Sequence, residues 1–369
     1  MSPISPRANP SPTVAEVAAE AGVGKATAAR TLGNYGSVSP AARARVLAAA
    51  EKLRYRPNGL ARSVATGVTN TLGVIVADIS NPFFAGVMRG IEDACDAAGY
   101  TAIVLSSDEN LATERQAIGV LMDKKVDGII VASAAVAPDE LAHLTEAVER
   151  GIPTVLLDRT VEGLELDAVV IDNRESARDA VRRFTEHGHR RIAFVWGPTT
   201  DDEWETREEL TVVMRKMLWS GAERLRGYLD AIDEAGIQFD SRLITHGTRT
   251  EDPTVERVSA MLAMEDGPTA ILATETEALV GSLRAIRQRG LRYPQDVSVI
   301  GFDDSSWAGV MYPPLTMVAQ PMTELGEQAA RRVFALIEGA DGVPTVNTIP
   351  ARLVSRDSVA GVPSGASAR

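Results

Sequence analysis

"AGVGKATAARTL", Ala21 to Leu32, holds the decision on how this chain begins to fold. Its Gly-Lys pair, with a threonine two places on, has the look of a phosphate-cradling loop. That loop needs a glycine five positions before the second one and Ser or Thr directly after the lysine. Ala19 and Ala26 occupy those positions. The loop should also follow a strand, yet Val14, Val17, Ala18 and Ala21 recur upstream at helical spacing. The glycine turn therefore joins two helices.

The first helix is predicted from Thr13, a good N-cap, to Ala21, with Gly22 as its stop. The second covers Lys25 to Leu32. A third starts after Ser39 with Pro40 in its first turn and buries Val46, Leu47, Ala50 and Leu53. Two helices on a tight glycine turn suggest a helix-turn-helix, whose second helix enters the major groove of DNA. "YRPNGLARSVATG", Tyr55 to Gly67, follows as a short helical candidate.

The charge distribution agrees. The net charge of −12 would by itself argue against a nucleic-acid binder. Residues 1–69, however, hold nine basic and three acidic residues, leaving 29 and 47 for the remainder. A small basic head on an acidic body is expected where one end alone meets phosphates. The lone Cys95 excludes a disulfide framework and fits a reducing cytoplasm. No apolar run approaches the ~20 residues of a membrane span. "MSPISPRANPSP" has neither the charged start nor the apolar core of a signal peptide; residues 1–12 read as a disordered leader and 359–369 as a disordered tail.

From Leu72 the pattern changes. "LGVIVA", "TAIVL", "GIIVA", "TVLLD", "AVVID", "RIAFVWG", "TAILAT", "VSVIGFDD" and "LTMVAQ" are apolar β-type runs separated by helical stretches. Such alternation predicts parallel sheets with helices on both faces. The series is longer than one doubly wound sheet comfortably holds, so two lobes are expected. A ligand cleft is expected beyond the carboxyl ends of the strands.

The ordered set "TVAEVAAEAGVGKATAARTL", "VSPAARARVLAAAEKLRYRPNGLARS", "LGVIVADISNPFFAGVMRGIEDA", "VDGIIV", "GHRRIAFVWGP", "RLRGY" and "QDVSVIGFDDSSWAGVMYPPLTMVAQP" resembles the LacI/GalR family of bacterial transcription regulators. The resemblance runs from about Thr13 to Val359. It implies an all-α helix-turn-helix headpiece (13–56), a hinge helix and linker (57–70) that orders on operator DNA, and a two-lobed α/β core (71–358) similar to type I periplasmic binding proteins. One lobe is expected over 71–170 and 303–328, the other over 171–302 and 329–358. It further implies a cytoplasmic homodimer, joined through the core, that acts as a repressor on a near-palindromic operator. Its operator affinity would answer to a sugar-like metabolite in the cleft. No cofactor, metal or membrane partner is expected.

Carried to residues, the resemblance places DNA contacts at Lys25, Ala26, Thr27, Arg30, Tyr55, Asn58, Arg62 and Val64. Lys and Arg can donate to guanine, and an alanine can touch a thymine methyl. Val64 stands where the family has a leucine wedge in the minor groove. Gly24 replaces the usual serine N-cap, Ala28 and Ala29 stand where Val and Ser are common, and Gly33 replaces a common asparagine. Effector contacts are expected at Phe83, Phe84, Asp108, Asp158, Arg159, Arg224, Arg249, Glu275, Thr276 and Gln320. Glu275-Thr276 departs from a common Asn-Asp, and Arg249 stands where an aromatic often closes over the ring. Arg224 and Arg249 together suggest an effector with an ionised group held by charge-assisted forks.

Other readings are weaker. His187 and His189 lack a third ligand nearby and fit a polar helix-to-strand turn better than a metal pair. Asp303-Asp304 reads as structural. A solute-binding protein without DNA function, or an α/β carbohydrate enzyme, would not explain the basic head. "TTDDEWETREELTVVMRKMLWSGA", Thr199 to Ala222, is longer than the family's usual loop. Val212, Val213, Met217 and Leu218, flanked by Trp204 and Trp219, suggest an amphipathic helix that is either a plain surface insertion or a lid at the cleft mouth.

Overall fold

The computed structural model describes residues 12–33, 36–55, 67–197, 202–246, 251–340 and 342–362. The chain divides into two compact units, residues 1–69 and 70–369.

In the first unit the helices are α1 (Val14–Ala21), α2 (Lys25–Leu32) and α3 (Pro40–Lys52). Their ends are set locally. The Thr13 hydroxyl accepts the Glu16 N–H at 3.3 Å while the Glu16 carboxylate accepts the Thr13 N–H at 2.6 Å, a reciprocal cap. Gly22, at φ +60°, closes α1 in the left-handed conformation that glycine adopts without penalty. Gly24 caps α2 with no side-chain bond, which forfeits a few tenths of a kcal/mol relative to serine. Val17, Ala18, Ala21, Ala28, Val46, Ala49 and Ala50 form the core. Leu47, expected inside, is 51% exposed. The buried stripe runs through 46, 49 and 50, and Leu47 sits one helical step off it.

The second unit contains two six-stranded sheets. In spatial order the first holds β11 (Val346–Ile349), β5 (Asp167–Ile171), β4 (Thr154–Leu157), β3 (Gly128–Val131), β1 (Thr71–Val76) and β2 (Thr101–Ser106), all pairs parallel. The second holds β12 (Arg352–Val354), β10 (Thr316–Ala319), β9 (Ser298–Phe302), β8 (Ala270–Ala273), β6 (Ile192–Trp196) and β7 (Ile244–His246). Only the β10–β12 pair is antiparallel there. The central strands are buried along their length, save Thr71 at the start of β1, as near-continuous Val/Ile/Leu runs require when helices cover both faces.

The two-lobed expectation matches these sheets, but the division of the C-terminal third does not. Residues 303–328 are expected in the first lobe; the start of the next helix, 322–328, lies there, whereas β10 pairs with β9 in the second. Residues 329–358 are expected in the second lobe. The helix Met322–Ile337 instead packs on Pro82–Ala98 in the first, so closely that a Cβ at Gly90 would lie 1.9 Å from the Thr323 carbonyl oxygen. β11 likewise pairs with β5 of the first sheet. The chain therefore crosses after β5, after β10 and between β11 and β12. The expected tail also starts too early, because the Ala360 carbonyl accepts from the buried His189 ring at 2.8 Å. His189 engages Thr269 with its other nitrogen, which makes it a structural tie. Among the described residues no helix is long and apolar enough to cross a membrane.

Candidate nucleic-acid interface and ligand cleft

Helix α2 buries Ala28 and Thr31 against its neighbours, and the Thr31 hydroxyl donates to the Thr27 carbonyl at 3.0 Å. The opposite side presents Lys25, Ala26 and Arg30 to solvent, with Thr27 and Ala29 half-buried at its margins. Residues 21–50 carry four basic residues and no acid, so this surface is uniformly cationic. The Arg30 stem runs against Gly36, where an added Cβ would meet its Cδ at 3.2 Å. Tyr55 packs on the headpiece core, and its N–H donates to the Ala50 carbonyl at 2.8 Å. Asn58, Arg62 and Val64 lie outside the described residues.

A cleft of about 240 Å³ opens between the two sheets of the second unit, beyond the carboxyl ends of their strands. On the first-lobe wall, Asn81 accepts the Phe83 N–H at 2.9 Å, and Pro82 starts the helix. Phe83 and Phe84 then line the cleft edge to face, 4.9 Å apart. Arg159 is 4% exposed and held between two acids. Its Nε donates to Asp158 at 3.1 Å and its Nη2 to Glu109 at 3.3 Å. Burial works against the charged guanidinium, but those carboxylates outweigh it and raise its pKa.

The second-lobe wall is built around Arg224, which is 4% exposed. Its Nε donates to Asn173 at 2.8 Å, its Nη1 to the Thr274 carbonyl at 2.6 Å, and its guanidinium lies 4.5 Å over the Phe302 ring. Glu275 is 3.7 Å from Nη1 and accepts from the Thr274 hydroxyl at 2.8 Å. Burial pushes the Glu275 carboxyl up to about 7, against the pull of Arg224. Burial pushes Asp303 up to about 6, again opposed by Arg224, while the Gln320 amide donates to Asp303 at 2.5 Å. Asp158 and Asp303 each follow a strand directly and each adopt positive φ, +68° and +66°. Side chains pay roughly 1 kcal/mol or more for that conformation, a strain common at functional sites.

The 202–222 stretch supplies the rest of the cleft. Helix Arg207–Met214 starts on a Thr206–Glu209 capping box and buries Leu210, Val213 and Met214. Val212, expected on that stripe, is 58% exposed. Lys216, Met217 and Leu218 then line the cleft, and Trp204 stacks 5.4 Å from the cleft-lining Trp196.

Of the expected effector residues, Phe83, Phe84, Asp158, Arg159, Arg224, Glu275 and Gln320 meet in this cleft. Asp108 does not: it is exposed, and its neighbour Glu109 reaches in instead, because both residues take positive φ. Thr276 opens the helix Thr276–Gln288 and does not line the cleft, while Arg249 lies outside the described residues. Asp303, read as structural, lines the cleft; so do Asn81, Glu109 and Trp196, which the sequence reading passed over. Asn81, Trp196 and Asp303 were legible in principle, as a helix cap and two strand-end residues. Two arginines face four carboxyl groups in the described cleft, and Lys216 is bound to Asp202 at 2.8 Å; Arg249, the other half of the expected anion clamp, lies outside the described residues.

Comparison with known proteins agrees with both units. Residues 13–58 match the pattern described as bacterial regulatory proteins, lacI family, and residues 181–359 match a periplasmic binding protein-like domain. Catabolite control protein A of Priestia megaterium is 34% identical over 346 residues, covering 94% of this chain and 98% of that one. The HTH-type transcriptional regulator CelR of Thermobifida fusca is 32% identical over 354 residues, covering 94% and 98%. Among solved structures, the CelR–cellobiose complex aligns with TM-score 0.67 and 30% identity over 94% of this chain and 99% of that one. The Lac repressor dimer bound to operator and the anti-inducer ONPF aligns with TM-score 0.80 at 24% identity, over 94% and 99%, a likeness of fold. With its helix-turn-helix unit, its two parallel sheets around a polar cleft, and relatives matched over nearly their full length, this chain belongs to the lacI family of bacterial regulatory proteins.

Proposed function

We propose that this protein is a cytoplasmic transcriptional repressor whose affinity for operator DNA is set by a small sugar-like metabolite in the cleft. The observation that carries the reading is the pairing, in one chain, of an acid-free basic recognition helix with a cleft lined by Phe84, Asp158, Arg159 and Arg224. Lys25, Ala26, Thr27 and Arg30 would read the major groove, Tyr55 would contact the backbone, and Asn58, Arg62 and Val64 would act in the hinge. An aromatic face beside fixed polar groups suits a hydroxylated ring. Ligand would act by population shift, favouring one lobe arrangement through differential contacts. A regulator of this kind is no enzyme, and no step here calls for chemistry on the ligand.

Selection of bound duplexes from a random pool tests the DNA half. The expected product is a near-palindrome with half-sites about one helical turn apart. Enrichment of no sequence, or of an asymmetric single site, would overturn it.

A homodimer is supported by an apolar face on the second lobe. Val310 and Tyr312 are 82% and 95% exposed there, beside Leu283, Tyr293 and Met311. Exposed apolar patches of this kind mark association surfaces. Tyr312→Asp is expected to shift the protein to monomer in sedimentation velocity and to weaken operator binding, since each half-site needs one subunit. An unchanged dimer would place the interface elsewhere.

A further inference from the structure

On the first wall Arg159 lies between Glu109 and Asp158, and on the second Glu275 lies 3.7 Å from Arg224 while Asp303 lines the same cleft bonded to Gln320. Among the described residues the cleft thus holds more carboxyl groups than guanidiniums, and Lys216 is bound to Asp202. Glu275 accepts from the Thr274 hydroxyl at 2.8 Å and from the Gly197 backbone N–H, but has no close cation among the described residues. Arg224 spends its short bonds on Asn173 and the Thr274 carbonyl and leaves Glu275 at 3.7 Å.

A second, independent feature points the same way. Gln320 is 8% exposed, lines the cleft, and gives its amide N–H to Asp303, which fixes the amide orientation. Its Oε1 is thereby a buried acceptor with no partner among the described residues. An unpaired buried acceptor is destabilising, and a ligand donor would relieve it. At Gln320 the cleft therefore calls for a donor from the ligand. A neutral sugar offers hydroxyls that both give and take; a carboxylate or phosphate only takes.

We propose that the cleft is specific for a cationic polyol, a single hydroxylated ring bearing a protonated amine, whose ammonium hydrogens go to Glu275 and whose neighbouring donor goes to Gln320 Oε1. This deepens the reading of the protein as a regulator with a sugar-like effector and rests on it. A cleft of about 240 Å³ suits one ring better than an oligomer. Charge-assisted bonds to Glu275 supply the discrimination between amine and hydroxyl at one ring position. Phe83 and Phe84 supply a face for the ring, and Arg159 and Asp158 the contacts for its other hydroxyls.

The test is calorimetric titration of the full-length protein with matched sets near neutral pH: glucose, glucosamine and glucuronate, then the galactose and mannose counterparts. At least one aminated member is expected to bind about tenfold or more tighter than its hydroxyl partner, the gap between a charged and a neutral hydrogen bond. Uronates should bind more weakly than either. Glu275→Gln, which keeps shape and the Thr274 contact, should bring the aminated and neutral members within a few-fold of each other. A neutral or acidic member that binds as tightly as its aminated partner overturns the inference, as does failure of every aminated sugar to bind. A neutral sugar that binds more tightly than every aminated member and shifts operator affinity would do so while leaving the regulator reading intact. Absence of specific operator binding in the same preparation would instead strike that reading.

Discussion

Removal of residues 1–69 is expected to abolish specific retardation of the operator, a loss of at least about a thousandfold relative to the full chain. The DNA-facing charge resides there: nine basic against three acidic residues, while the remainder carries 47 acids against 29 bases and should repel phosphates. The fragment should stay folded. It is a compact unit by itself, with separate apolar clusters on the faces of both sheets, centred on residues such as Ile91, Leu121, Phe194 and Val299. Gel retardation with excess non-specific competitor reads the outcome, with circular dichroism to verify folding. A folded fragment that still picked out the operator would place DNA recognition in the core.

Arg224→Met is expected to destabilise the second unit by about 3–5 kcal/mol near pH 8, the scale for deleting one partner of a buried charge cluster. Arg224 pulls on two carboxyls that burial pushes up, Glu275 to about 7 and Asp303 to about 6. The sign of the pH effect follows. A raised folded-state pKa means the folded protein keeps a proton that the unfolded chain has released, so the stability these groups contribute is complete below about pH 4. It is lost as pH rises through 6 and 7. Near pH 5 both carboxyls are neutral in the folded state and need no guanidinium. The loss caused by Arg224→Met should therefore shrink there, leaving mainly the missing hydrogen bonds to Asn173 and Thr274. Urea denaturation at both pH values measures it. Equal losses would mean that Arg224 acts by packing over Phe302 rather than by charge.

These two predictions draw on features that were unequally legible in the sequence. The headpiece helices could be read almost to the residue, because Thr13, Gly22, Ser39 and Pro40 act within one turn of their own positions. Nine core strands showed as apolar runs. β7, β11 and β12 did not, being three or four residues long at or beside sheet edges, with Val346 54% exposed. They exist through pairing with distant strands, which leaves no local pattern. The same non-locality hid the lobe crossings, since nothing within 303–328 reveals that β10 lies beside β9. Helix phase explains Leu47 and Val212: each sits next to the buried stripe, where a shift of one residue reverses burial. In the cleft, strand-end positions such as Asp158 and Gln320 could be anticipated from topology. The exchange of Asp108 for Glu109 could not, because it depends on two consecutive left-handed residues.

The central claim, that a small molecule in the cleft governs DNA recognition by the helix-turn-helix unit, is tested most directly by one titration. Full-length protein is titrated into fluorescent operator duplex with and without a saturating sugar, chosen as one that calorimetry shows to bind. Linked allosteric sites differ by 1–3 kcal/mol as a rule, so the midpoint should move by roughly 5- to 150-fold. Arg224→Lys, which keeps the charge but loses the forked contacts to Asn173 and the Thr274 carbonyl, should reduce that shift while leaving sugar-free operator affinity within a few-fold. A midpoint indifferent to the bound sugar would contradict the account.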